Sequence, residues 1–271
     1  MAKVREEEPS SITKYIESVE KRQSTSENTL WYRGCGEVTH KLLPRLYRHR
    51  TAKDIAGFAR LETQLMTRFR QRSIPFHDRS LVDDWDTIFF MQHYGVPTRL
   101  LDWTENPFIA FYFAVMSALF RVSKTNELTF PQAAAIWILD PVIWNRHALS
   151  HQSFDGAVLA PGDDALKGYK PTSTFDAMFN HPVALYGTHN STRIVAQRGV
   201  FTIFGQNTRP MEDIYDSQSF PKDCLIKIIL HNSLLAGMRK SILNYGITES
   251  VVFPDLEGLA KEIRRIFGFE V

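Results

Sequence analysis

From Phe108 to Phe120 the chain is apolar at every position except Ser117, a run of 13 residues. A bilayer-spanning helix needs about 18 to 20 residues, so this run is too short to cross a membrane. A surface helix keeps one polar face, and this one has none. The segment is therefore expected as a helix enclosed on all sides at the centre of a fold. The chain has 271 residues, 44% hydrophobic and 12% aromatic against 23% charged, which supplies the apolar surface to enclose it. Disorder is excluded by the same balance. No internal repeat and no Pro/Ser-rich linker divides the sequence, which points to one α+β domain with helices at its N-terminal end.

Coarse periodicity orders the elements. Ile12, Tyr15, Ile16 and Val19 recur at helical spacing behind Ser10 and Ser11, and Leu30 to Gly34 reads as a short strand. Helices are expected over Ala56–Arg70 and Trp85–Tyr94, the second ended by Gly95 and Pro97. Asp102 to Pro107 reads as the start of the apolar helix, with Thr104 or Asn106 as cap. Strands are expected over Ala133–Leu139, Val183–Leu185, Val200–Phe204 and Leu225–Leu230, and at Val251 to Phe253. Helices are expected over Asn232–Asn244 and Leu256–Ile266, and loops with short helices over 145–180.

Several chemistries are set aside by spacing. None of the nine histidines forms HExxH, HxH or a Cys/His knuckle, and Cys35 and Cys224 stand far apart, so neither a metal centre nor a disulfide framework is expected. There is no GxSxG elbow and no GxxxxGK[ST] loop. The N-terminus lacks the apolar core of a secretory signal, and a reducing cytoplasm is the expected compartment.

Two constellations are denser than composition requires. Trp31-Tyr32-Arg33-Gly34 delivers one arginine from a strand beside a glycine, a natural phosphate contact. Gln92 to Pro107 gathers His93, Tyr94, Arg99, Asp102, Trp103 and Thr104 ahead of a buried helix whose free amides favour an anion. Asp102 can cap, Trp103 can pack and Arg99 can pair with Asp102, but such roles do not absorb the whole cluster. The net charge is +2, yet residues 41 to 80 hold ten Lys/Arg and three acids, a local +7. That segment is either a solvated helical face or a surface for a polyanion.

Tyr32-Arg33-Gly34, the block QHYGVPTRLLDWTENPFIAFYFA, the stretch RIVAQRGVFT from Arg193 and the stretch GITESVVFPDLEGLA from Gly246 together resemble the FRG domain, with Tyr32 in place of its phenylalanine. The blocks run from Trp31 to Ala260, which sets 1–29 apart as a helical extension and 30–271 as the domain. The resemblance implies an ADP-ribosyltransferase-like split central sheet, with NAD as co-substrate and no metal. It further implies a bacterial toxin of toxin-antitoxin or phage-defence systems, with a neutralising antitoxin protein as a possible partner. On this basis Arg33 and Gly34 would meet the NAD phosphates together with Arg99, Tyr94 or Trp103 would stack on nicotinamide, and Thr104 would lie at the nicotinamide ribose. Glu249 would be the catalytic acid, with Glu212, Glu257 and Gln197 as rivals.

Rupture of the nicotinamide–ribose bond builds positive charge at the anomeric carbon, which a carboxylate stabilises. The basic segment points to nucleic acid as acceptor, single-stranded before duplex, and the resemblance to toxins implies RNA before DNA. A protein acceptor, a nuclease and a non-catalytic nucleotide- or nucleic-acid-binding module are the alternatives.

Overall fold

Ile136 and Ile138 enter one apolar cluster while Trp137 and Leu139 enter another, so the strand that carries them is buried on both faces. A strand of this kind must lie inside a sheet covered on two sides. The computed structural model describes residues 3–78, 81, 83–123, 127–171, 178–188, 191–217 and 220–269. Among them the chain order is β1 (Arg5–Glu7), α1 (Ile12–Gln23), β2 (Trp31–Cys35), α2 (Ile55–Ser73), α3 (Asp84–His93), β3 (Leu100–Thr104) and α4 (Pro107–Met116). There follow a small hairpin, β4 (Arg121–Val122) and β5 (Leu128–Thr129), then β6 (Ala134–Leu139), α5 (Pro141–Ala148), β7 (Val183–Leu185), α6 (Thr192–Gln197) and β8 (Gly199–Ile203). The chain closes with α7 (Met211–Ser217), β9 (Leu225–Leu230), α8 (Leu235–Asn244), α9 (Glu249–Val252) and α10 (Leu256–Ile266).

Seven strands form one mixed sheet in the order β1-β9-β6-β2-β3-β8-β7, parallel at β1–β9 and antiparallel elsewhere. Helices α1, α4 and α8 cover one face, and α2, α3, α5 and α7 the other. The N-terminal segment is part of this body. Arg5–Glu7 adds an edge strand that no apolar pattern announces, and Tyr15 of α1 donates its hydroxyl to the Pro107 carbonyl at 2.9 Å.

The apolar run forms a largely buried helix, but it begins one residue before the predicted limit, at Pro107, ends short of it, at Met116, and lies on one face of the sheet. Asn106 caps it by accepting from the Phe108 amide at 2.9 Å, and Ser117 ends it by returning both its amide and its hydroxyl to the Phe113 carbonyl. Asp102 to Thr104, read from sequence as the helix start, is strand instead. Its backbone is taken up by β8, with Leu100 opposite Ile203 and Thr104 opposite Gly199. Val251 to Phe253, read as a strand, follows Glu249 in the short helix α9 and its end. At the end of α3, Gly95 adopts φ 73°, and the Val96 amide reaches the Met91 carbonyl while the Gly95 amide reaches Gln92. This is the left-handed stop that glycine permits.

Arg99 supplies the main polar tie inside the larger core. Its side chain is 1% exposed, and Nε donates to Glu62 Oε1 at 2.9 Å and Oε2 at 3.0 Å. Nη1 donates to the Phe204 carbonyl at 2.8 Å and Nη2 to the Tyr169 carbonyl at 2.9 Å. Burial alone would favour a neutral arginine; the carboxylate outweighs it and holds the guanidinium firmly protonated. Breaking such a pair from one side strands a charge in the core. Arg99→Met and Glu62→Gln are each expected to lower unfolding free energy by about 3–5 kcal/mol, read as a shifted urea midpoint with an unchanged slope. A loss below about 1 kcal/mol would mean that the pair is not a structural tie.

Candidate functional site

Strand β2 pairs with β6 over its whole length, and β3 pairs with β8 over its whole length. Between β2 and β3 the register contains a single pair, Tyr32 opposite Thr104. Carried further, that register would set Arg33 against Trp103 and Gly34 against Asp102. Instead the strands part, and the Arg33 side chain occupies the opening. Its Nη1 donates to the Asp102 carbonyl, a group that lacks a β2 amide as partner, and lies 3.8 Å from Asp102 Oδ2. Its Nε is buried and meets no acceptor among the described residues. Such an unmade bond inside a protein is costly and marks a place where a ligand acceptor fits.

The opening is a cleft of about 260 Å³. Gln92 and His93 at the end of α3 form one wall, and Arg193 and Gln197 of α6 form another. Phe113 of α4 and Phe201 of β8 add ring surface. Asp102 is the carboxylate among the described residues lining it; Gln92 Nε2 donates to Asp102 Oδ1 at 2.8 Å and Thr98 Oγ1 donates to Gln92 Oε1 at 2.5 Å. Arg193 packs its guanidinium 4.6 Å from the centre of the Phe253 ring. Partial burial, and then the Arg193 charge, hold the His93 imidazole below its ordinary pKa. The cleft thus joins two guanidiniums, an imidazole, one carboxylate and aromatic surface, a set suited to an anionic ligand that carries a planar ring.

The site residues expected from sequence divide into two groups. Arg33, Gly34, Trp103 and Thr104 line the cleft, with differing freedom to act. The Trp103 indole is buried and donates to Thr202 Oγ1 at 3.1 Å. Thr104 Oγ1 donates to the Gln197 carbonyl at 2.6 Å and accepts the Asn106 amide at 3.0 Å, so it forms the turn into α4. Gly34 is glycine for packing: a Cβ there would stand 1.9 Å from the Ala110 carbonyl oxygen of α4.

Arg99, Tyr94 and Glu249 are not in the cleft. Arg99 is consumed by Glu62 and two carbonyls in the core. Tyr94 lies past the end of α3, 62% exposed, with its ring against Phe90 and His93. Glu249 is buried at the start of α9, where Arg265 Nε donates to both of its carboxylate oxygens at 2.8 and 3.0 Å. It lines a different hollow, with Tyr112, Met116 and Arg239. Gln92, His93 and Arg193 have no ligand role in the sequence reading and Asp102 only that of a cap or a partner of Arg99, whereas it meets Arg33 and Gln92 instead; all four stand inside the segments that carry the resemblance. Their signal was the density of polar side chains there, which by itself does not say which of them share a surface.

Other chemistries find no support here. Cys35 and Cys224 are both buried, and burial pushes both thiols up, away from the thiolate a nucleophile needs. Among the described residues no group of three or more His, Cys, Asp or Glu is placed to share a metal ion. No helix among them is long and apolar enough to cross a membrane.

No curated protein and no solved structure matches this chain. The family model described as the FRG domain matches residues 28–121, a segment that holds β2, α2, α3, β3 and α4, and with them Arg33, Gln92, His93, Asp102 and Phe113 of the cleft.

Proposed function

We propose that the cleft between β2 and β3 binds NAD and that the protein transfers its ADP-ribosyl group to a single-stranded nucleic acid. The observation that carries this reading is Arg33, a half-buried arginine whose enclosed Nε is unmatched, standing beside the Asp102 carboxylate where the sheet opens. Arginine presents planar paired donors suited to phosphate oxygens. Arg33 and Arg193 would hold the pyrophosphate, and Phe113 or Phe201 would pack against a ring. Asp102 takes the role that the resemblance gave to Glu249. As the nicotinamide–ribose bond breaks, its electron pair leaves with nicotinamide, and the Asp102 carboxylate stabilises the positive charge left on the anomeric carbon. A nucleophilic atom of the acceptor then bonds to that carbon and gives up its proton. The toxin role implied by the FRG resemblance belongs to this proposal.

Asp102→Asn keeps the shape and the bond from Gln92 but removes the charge. It is expected to lower transfer from labelled NAD by about 10²-fold or more while NAD affinity in calorimetry changes little. Glu249→Gln is expected to retain transfer within about tenfold, and to lower stability because it strands Arg265. Full activity in the Asp102 variant, with loss in the Glu249 variant, would return the acid to α9. The bond from Gln92 to Asp102 favours a second reading, a nucleotide-binding module without catalysis, since that carboxylate is already partly engaged. Binding of NAD by wild type without release of nicotinamide would establish it.

His93 gives the cleft a pH dependence of known sign. In the free protein its pKa is depressed, so it is neutral near pH 7. A bound phosphate favours the imidazolium, so binding takes up a proton and affinity rises as pH falls towards the free-state pKa. NAD is expected to bind several-fold more tightly at about pH 6 than at about pH 7.5, with the difference removed in His93→Gln. Equal pH dependence in that variant would exclude His93 from the anion contact.

A further inference from the structure

Next to the cleft lies an apolar groove between the C-terminal half of α2, the turn at Ile74–Phe76 and the end of α3, about 520 Å³ in volume. Its floor is Leu65, Phe69 and Phe90. Two rings stand at its mouth in solvent: Phe76 is 83% exposed and Tyr94 is 62% exposed. Arg68 and Arg72 also line it, both exposed, and neither meets an ion-pair or hydrogen-bond partner among the described residues. Arg70, between them in sequence, is different, since it is bound to Asp84 at 2.7 Å and Thr87 at 3.0 Å.

The groove leads to the cleft through adjacent residues. The Tyr94 ring packs 4.8 Å from the ring of His93, which lines the cleft. Arg45 Nη1 donates to the Gly95 carbonyl at 3.0 Å, just beyond Tyr94. Arg48 is close enough to Arg33 and Arg45 that, after partial burial, their charges help to hold its pKa down. Arg68 and Arg72, without carboxylate partners among the described residues, thus stand beside the rings of Phe76 and Tyr94, with Arg45 next to Tyr94 and Arg48 near Arg33.

We infer that this groove is the docking site of a single-stranded nucleic acid, whose bases stack on Phe76 and Tyr94 while its phosphates meet Arg68 and Arg72. Every base has a face that stacks on an exposed ring, and a backbone charge at each nucleotide answers the cations. A duplex cannot use the rings, because its bases are already stacked on one another. The inference takes the acceptor of the proposed transfer and gives it a place on the protein. It rests on that reading for the strand's fate, but not for its binding.

The test therefore measures binding without NAD, by fluorescence anisotropy with labelled RNA and DNA strands of about a dozen nucleotides and the matching duplexes. Single strands are expected to bind, with log affinity falling linearly as log salt rises, and duplexes to bind at least tenfold more weakly. Phe76→Ala and Tyr94→Ala, both at exposed positions, are each expected to weaken strand binding by about 5-fold or more. Arg68→Glu with Arg72→Glu is expected to flatten the salt slope by about 2. Phe76→Ala and the arginine reversals should leave NAD affinity as in wild type. RNA binding more tightly than DNA, or the reverse, identifies the strand and supports the docking site in either case. Duplex binding equal to strand binding, ring variants indistinguishable from wild type, or no oligonucleotide binding would overturn the inference. Capture of an acidic amphipathic peptide in place of the strand, lost in Phe76→Ala, would overturn it too and give the groove to a protein. Strand binding without nicotinamide release would retain the docking site while the transfer reading fails.

Discussion

The buried pair between Arg99 and Glu62 ties together four parts of the chain that nothing in local sequence connects. Arg99 directly precedes β3; its partners are α2 through Glu62, the end of β8 through the Phe204 carbonyl, and the loop before β7 through the Tyr169 carbonyl. A charge pair in the core contributes little net stability against a well-packed apolar alternative. What it contributes is position. Because each donor has one acceptor in one place, α2 cannot slide along the sheet without stranding a charge. The helix that presents Arg68 and Phe69 is thereby held in register with the strand that presents Asp102.

Within the seven-stranded sheet that strand shares only one ladder pair with β2. Strands β3, β8 and β7 form one group and β1, β9, β6 and β2 another, joined through Tyr32 and Thr104. Two features keep β2 and β3 from zipping closed. Gly34 lets α4 come so near to β2 that its backbone occupies the space a side chain would fill. Arg33 then takes the Asp102 carbonyl that a β2 amide would otherwise reach. A guanidinium in place of a ladder bond satisfies that carbonyl while holding the strands apart, and it leaves polar capacity facing the gap. The opening is thus a consequence of how β2 is written, Tyr-Arg-Gly, in which each residue performs a different task.

Much of the fold was legible in the sequence because burial leaves a period. Helix α10, strand β7 and strand β9 occupy the limits that apolar spacing sets, and α1 to α3 lie within a few residues of theirs. Strand β3 was misread since Asp-Trp-Thr-Glu-Asn-Pro carries the residue types of a helix cap, and only the pairing with β8, about 100 residues later, decides that the first three are strand. The edge strand Arg5–Glu7 carries no apolar residue, so its pairing with β9 rests on main-chain bonds that composition does not record. For the site, local density located the cleft but could not apportion it. Arg99 and Arg33 look alike as arginines beside strands. They differ in that one finds Glu62 across the core and the other finds an unfilled gap, and both facts are set by tertiary distance.

The basic segment makes the same point about charge. Of its ten cations, Lys41 faces Glu212 and Asp213, Arg70 faces Asp84, and Arg45, Arg48 and Lys53 donate to main-chain carbonyls. Carbonyl contacts fix the position of a guanidinium without cancelling its charge, whereas a carboxylate cancels most of it. The field that remains is therefore not a uniform helical face. Among the described residues it is carried by Arg45 and Arg48 at the side of Arg33, by Arg68 and Arg72 beside the exposed rings, and by Arg50, Lys53 and Arg60, which also lack a carboxylate partner. Burial, and then the charges of Arg33 and Arg45, hold the Arg48 pKa down, so these three cations stand near one another. In the proposed reading, a bound anion would relieve the repulsion that folding leaves.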